Sequence, residues 1–276
     1  MIIKLKKIAY KASLLLLILL FYTVSAQASF SVSKQLIEVE IDREGEYTGT
    51  IVVENNSKEE RQIQIKPVDY IQDKEGDVKT PAVGENEFSL YPYLDLSATT
   101  LKIKAGGQKK LRYTINLPKE VKGSRWGALY FEEKTKPRTS PKSKNREGRN
   151  VSINLKMRYR TLILATANGT EELAGEVIDF ARKKKDRLSF VLDFKNTGNT
   201  YYRASGKVDV RNSHGETVMN MPIKEFFVFP KQKKRITMQR EIKEKLKPGE
   251  YAALAIIDYG GDKLVAGQLS FEIGEN

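Results

Sequence analysis

Side chains able to do covalent or acid–base chemistry are few in this sequence and badly placed for it. There is one histidine, His214, in the turn-forming run Asn212-Ser213-His214-Gly215, and no cysteine. Without a thiol there can be no metal-thiolate site and no cysteine nucleophile, and a histidine in a turn, with no G-x-S-x-G in the chain, leaves no nucleophile and base to pair. The acids Glu132-Glu133 and Glu171-Glu172 are sequence neighbours, so on a strand they point to opposite faces and do not make an acid/base pair. Those around Asp73-Lys74-Glu75-Gly76-Asp77 lack the ligand spacing of a calcium loop and read as a solvated turn. The sequence points away from an enzyme, and no cofactor or metal is expected.

What it offers instead is binding chemistry. In Val151–Leu164, VSINLKMRYRTLIL, the apolar Val151, Ile153, Leu155, Met157 and Tyr159 alternate with Ser152, Asn154, Lys156, Arg158 and Arg160. A period of two puts an apolar row and a cationic row on opposite faces of a strand. An ordinary sandwich strand with its apolar row in the core has the same pattern. The preceding segment Lys134–Asn150 holds seven basic residues, one acid and two prolines. Too polar to order itself by burial, it reads as a mobile loop between adjacent strands. It is either a flexible insertion or a contact for acidic polymers.

These stretches need a scaffold, and the sequence supplies turns at sandwich spacing. Strands are expected at Ser31–Asp42, Glu46–Val53, Arg61–Tyr70, Thr100–Ile103, Lys110–Ile115 and Trp126–Glu132, with a turn at Arg43-Glu44-Gly45 and a loop over Lys79–Glu87. After Asn168-Gly169 eight more follow: Leu173–Phe180, Leu188–Phe194, Tyr201–Val210, Thr217–Met221, Ile223–Phe229, Arg235–Ile242, Tyr251–Tyr259 and Leu264–Ile273. With no helical period of any length, the fold class is all-β, two immunoglobulin-like sandwiches in tandem. The expected domains are 29–167, with its mobile loop at 134–150 and an exposed last strand at 151–164, and 168–276. Residues 1–28 read as a cleaved signal peptide, with four lysines, an apolar run from Leu14 to Val24 and a small-residue site at Ala26-Gln27-Ala28. Because the leader carries no acids, its removal lowers the formal charge from +13 to +9. The mature chain is expected to be exported and soluble, in a periplasm or, around a single-membrane cell, in the envelope or outside. A basic surface suits acidic partners, while nucleic acid is a poor partner for an exported protein without a binding motif.

With those residues in view, the mature chain resembles the PapD-like periplasmic pilus chaperones of the chaperone-usher pathway. The likeness rests on Leu101-Lys102-Ile103-Lys104-Ala105-Gly106-Gly107-Gln108 with Leu111-Arg112-Tyr113, on Ser124-Arg125-Trp126, and on Asn196-Thr197-Gly198-Asn199-Thr200-Tyr201-Tyr202. It departs from the family at Ala105, where the family has proline, and at Gly123, where it has an acidic residue. The resemblance implies a non-enzymatic assembly factor whose last first-domain strand lends its apolar row to an incomplete pilin-like subunit. The row would be Val151, Ile153 and Leu155, extended by Met157. Arg160, with Lys34 from the first strand, would anchor the subunit's C-terminal carboxylate, and an outer-membrane usher would be a second partner. A structural or adhesive envelope module, contacting peptidoglycan or acidic surface polymers through Lys134–Arg149, is the alternative.

Overall fold

The computed structural model describes residues 29–42, 45–134, 143–144, 150–151, 157–184, 188–240 and 246–274. Residues 1–28, where a leader is expected, Arg43-Glu44, most of the basic segment and residues 152–156, with Ile153 and Leu155, lie outside them.

The first sandwich begins with β1 (Phe30–Val32), β2 (Leu36–Ile41), β3 (Glu46–Asn55) and β4 (Arg61–Val68). A short hairpin follows, β5 (Ile71–Gln72) with β6 (Val78–Lys79), then a 3-10 turn at Tyr91–Tyr93, β7 (Leu94–Leu96), β8 (Thr100–Ile103), β9 (Gln108–Asn116) and β10 (Gly123–Glu133). The two-residue strands β11 (Ser143–Lys144) and β12 (Asn150–Val151) pair with each other, and β13 (Arg158–Ala167) completes the unit. One sheet has the order β1-β3-β9-β7 and the other β2-β13-β10-β4-β8. Alternation builds the core between them: Ile37, Val39 and Ile41 from β2, Ile63 and Ile65 from β4, Leu111, Tyr113 and Ile115 from β9, and Leu129 and Phe131 from β10 all face inward.

Two details of the first sandwich depart from the sequence reading. The expected strand Ser31–Asp42 breaks after Val32, so that β1 pairs with β3 in one sheet while β2 crosses to the other and runs parallel to β13. The crossing lets Phe30 and the Ile37, Val39, Ile41 row enter one core from two sides. The last strand, expected to be exposed, is buried from Thr161 to Ala167. Ile163, Ala165 and Ala167 face the first core, whereas Leu162 and Leu164 lie under the second sandwich.

The second sandwich contains β14 (Gly175–Lys184), β15 (Leu188–Asn196), β16 (Tyr202–Asn212), β17 (Thr217–Val228), β18 (Lys233–Arg240), β19 (Gly249–Asp258) and β20 (Val265–Ile273). Its sheets are β14-β15-β18 and β17-β16-β19-β20, around a core led by Phe190, Leu192, Phe194, Val208, Val210, Ala253 and Ile257. The expected pair Thr217–Met221 and Ile223–Phe229 is one strand running through Pro222. β17 is an edge strand with β16 as its ladder partner, so the proline's missing N–H breaks no second ladder. Among the described residues no helix is long and apolar enough to cross a membrane.

Candidate partner-binding cleft

The five-stranded sheet of the first sandwich turns its outer face to the second sandwich, and the character of that face changes along its length. Nearest the second sandwich, Tyr70, Trp126, Ala128, Leu162 and Leu164 form an apolar cluster with Phe229, edged by Val68, Phe88, Tyr201 and Phe227. Trp126 is fully buried, stacks on Phe88 with centroids 5.1 Å apart and meets Phe229 at 4.8 Å. Its indole N–H donates to the Tyr70 carbonyl at 2.7 Å, which satisfies the one polar atom the ring would otherwise bury unpaired.

Beside this wedge, three buried hydroxyls bridge the sandwiches: Ser124 lies 2.9 Å from Thr166 and 2.6 Å from Thr200. Gly123 has φ +66°, and a Cβ there would stand 2.2 Å from the Asn199 carbonyl oxygen, so this approach admits only glycine. The Ser124-Arg125-Trp126 and Asn196–Tyr202 segments, read as separate signatures in the sequence, therefore meet at one joint. Polar ties flank it. On the β2 edge Arg203 donates to Glu38 at 2.9 Å. On the β4 side the β5–β6 hairpin reaches over: the Arg235 N–H donates to the Lys74 carbonyl at 2.7 Å, and its guanidinium holds Asp193 at 2.5 and 2.6 Å and Glu75 at 3.3 Å.

Farther along the same face the aromatic cover ends and cations take over. Arg158 and Arg160 occupy successive outward positions of β13, each above a tyrosine: Arg158 lies 4.6 Å from the Tyr130 centroid and Arg160 5.0 Å from that of Tyr70. Their charge environments differ. Arg158 pairs with Glu132, which also accepts from Lys66 at 2.8 Å. Burial alone would raise the Glu132 carboxyl, but hydrogen bonds and charge from Lys66 and Arg158 outweigh it and hold it below its ordinary value.

Among the described residues Arg160 has no carboxylate partner, and neither has Lys34. Both are exposed, and the Lys34 backbone runs beside that of Thr161, the residue after Arg160. β13 and β2 run parallel, paired from Leu162 beside Leu36 onward, and Lys34 lies in the bend just before β2. The Thr161 hydroxyl donates to the Lys34 carbonyl at 2.5 Å and the Leu162 N–H to Gln35 at 2.8 Å, fixing that register. Two uncompensated cations on adjoining backbone segments suit a carboxylate, which would form charge-assisted hydrogen bonds with both if the side chains converge.

Of the other anticipated residues, Met157 is exposed, with its sulfur 3.9 Å from the Tyr159 hydroxyl, and Val151 belongs to β12. Tyr70, Tyr130, Glu132 and Phe229 were not legible as site residues. The available signal was positional: Tyr70 follows the end of a strand and Phe229 stands just before Pro230, places where a large aromatic must find cover outside its own sheet. No group of three or more metal-ligating side chains occurs among the described residues. A cavity of about 490 Å³ lined by Asn212, Tyr251, Phe271 and their neighbours lies on β16, β19 and β20, away from the cleft.

No protein-family profile and no curated protein sequence matches the chain. Solved structures do. A chaperone–tip adhesin complex described as vital for activation of CFA/I fimbriae biogenesis superposes with a TM-score of 0.50 at 14% identity, over 89% of this chain and 98% of that one. The class 5 fimbriae chaperone CfaA follows at 0.47 and 14%, over 90% and 100%. The Salmonella enterica SafA pilin in complex with the SafB chaperone gives 0.42 and 13%, over 89% and 99%. The chain has the fold of the fimbrial chaperones. That fold spans both sandwiches.

Proposed function

We propose that the protein is a non-enzymatic assembly factor for an exported, β-rich, pilin-like subunit. It lends the apolar row that begins at Val151 to an open edge of the subunit, and it anchors the subunit's C-terminal carboxylate on Arg160 and Lys34. The observation that carries this reading is the difference between the two arginines: Arg158 is matched by Glu132, whereas Arg160 stands exposed, with Lys34 on the adjoining backbone segment and no acid among the described residues. The chaperone–tip adhesin description of the structure matched over both chains supports a subunit of that kind as partner. Strand addition suits such a partner energetically. Each backbone hydrogen bond contributes roughly 0.5–1.5 kcal/mol net, each buried aliphatic side chain about 1.5–3, and association costs of similar size leave the anchor to fix register. A periplasmic or envelope location follows from the same reading.

The test is Arg160→Ala. Loss of its contact with Tyr70 should lower stability by no more than about 0.5–1 kcal/mol, as for an exposed cation–π pair. Binding of the subunit that copurifies from the exported compartment should weaken by about 1.5–3 kcal/mol, tenfold or more. A subunit lacking its C-terminal residues should bind wild type and variant alike. If Arg160→Ala binds the intact subunit as well as wild type does, the anchor assignment is wrong.

A further inference from the structure

Tyr70 sits where the two sandwiches and the cation pair meet. Its backbone carbonyl is pinned by the Trp126 indole at 2.7 Å, and its ring packs on Phe229 of the second sandwich with centroids 5.6 Å apart. On its open side the ring carries the Arg160 guanidinium at 5.0 Å. The ring is buried, so it has little freedom to move away from the cation it supports. A long arginine side chain on an exposed strand face otherwise has many rotamers to sample, and ordering it on binding costs free energy. An aromatic platform beneath the guanidinium removes part of that cost in advance.

We infer that Tyr70 is the positioning residue of the anchor. Held by Trp126 and Phe229, its ring presents the Arg160 guanidinium to the carboxylate of a bound chain, so the second sandwich contributes to a site whose cations belong to the first. The inference rests on the carboxylate-anchor reading and adds to it a residue that touches no ligand, together with a dependence on the domain joint. Burial pushes the Tyr70 phenol above its ordinary value, and the opposing pull of the Arg160 charge does not cancel this, so the ring stays neutral at physiological pH. The nearby Arg158 lies over Tyr130, but its charge is already engaged by Glu132.

The experiment uses the full mature chain and two probes: a short synthetic peptide of alternating valine and threonine with a free C-terminal carboxylate, and the same peptide amidated. The wild type should prefer the carboxylate by about tenfold or more. Tyr70→Phe keeps the platform and should keep that preference. Tyr70→Leu, and Phe229→Leu acting through Tyr70, should reduce it at least about threefold with affinity for the amide unchanged. A second readout is the Arg160 Nε–H resonance of the free protein, shielded by the ring in the wild type and in Tyr70→Phe and moved downfield in both leucine variants. A general loss of structure would weaken both peptides together and would not be rescued by Tyr70→Phe. Full carboxylate preference in both leucine variants, or an unmoved Arg160 resonance, overturns the role of Tyr70. If the wild type does not distinguish the two peptides although its Arg160 resonance is shielded, the anchor itself fails and this proposal falls with it.

Discussion

Single residues at the joint carry constraints that their types alone explain. Gly123 combines a positive φ with a carbonyl oxygen 2.2 Å from where a Cβ would stand. Gly123→Ala is expected to lower stability by about 2 kcal/mol or more, since the left-handed conformation costs an L-residue roughly 1–2 kcal/mol before the clash is added. A denaturant melt checks it, and an unchanged midpoint would mean that the joint does not close here. Asp193 gives a pH-dependent counterpart. Hydrogen bonds from Arg235 hold its carboxyl below its ordinary value, against the opposing effect of burial. The folded pKa is depressed, so the associated stability is whole above the unfolded value of about 4 and is lost as pH falls below it towards the folded value. Asp193→Asn should therefore flatten the loss of thermal stability on acidification below about pH 4. A variant as acid-sensitive as wild type would remove Asp193 from that account.

At the scale of elements, period-two alternation and turn residues made most strands legible, because burying one face of a strand leaves its mark in the strand itself. β9, β15 and β19 lie close to where the pattern puts them. The same logic fails where a strand's cover comes from elsewhere. Thr161–Ala167 looks like a continuous apolar run, and only the second sandwich lying over Leu162 and Leu164 explains why both of its faces are buried. The break between β1 and β2 was equally hidden, since both pieces feed the same core. The proposed site was legible in its cations and not in its platform: alternation puts Arg160 in a cationic row and the family resemblance singles it out, whereas Tyr70 is held by Trp126 and Phe229, remote in sequence. The β5–β6 hairpin shows the limit most plainly. Its Asp73-Lys74-Glu75-Gly76-Asp77 turn reads as solvated, and Asp73 does cap the turn's own N–H groups at 2.9–3.0 Å, yet Lys74 and Glu75 also bond to Arg235 in the other sandwich. Shortening the hairpin to a plain turn should leave both sandwiches folded and raise the hydrogen-exchange rate of the Arg235 amide, which the Lys74 carbonyl now protects. An unchanged exchange rate would show that another element guards that amide.

At the scale of the whole molecule, the question is whether two sandwiches on one chain behave as one body. Inter-domain contacts within a chain are mobile by default unless they are large and apolar, and exposed ion pairs such as Arg203–Glu38 contribute only about 0–1 kcal/mol each. The coupling must therefore come from the wedge of Trp126, Phe229, Tyr70, Leu162 and Leu164, none of which belongs to the core of the second sandwich. Phe229 is the test residue, because it is the second sandwich's contribution to the buried centre of that wedge and touches both Trp126 and Tyr70. Phe229→Ala should cost about 3–5 kcal/mol by the usual measure for a buried aromatic. Its loss falls on the joint rather than on either core, so the expected result is not a uniform drop in melting temperature. Calorimetry should find one transition in the wild type and two in the variant, with the second sandwich's secondary structure intact between them. A single transition moved to lower temperature would place Phe229 within a core instead, and the cleft would then owe its shape to the polar ties.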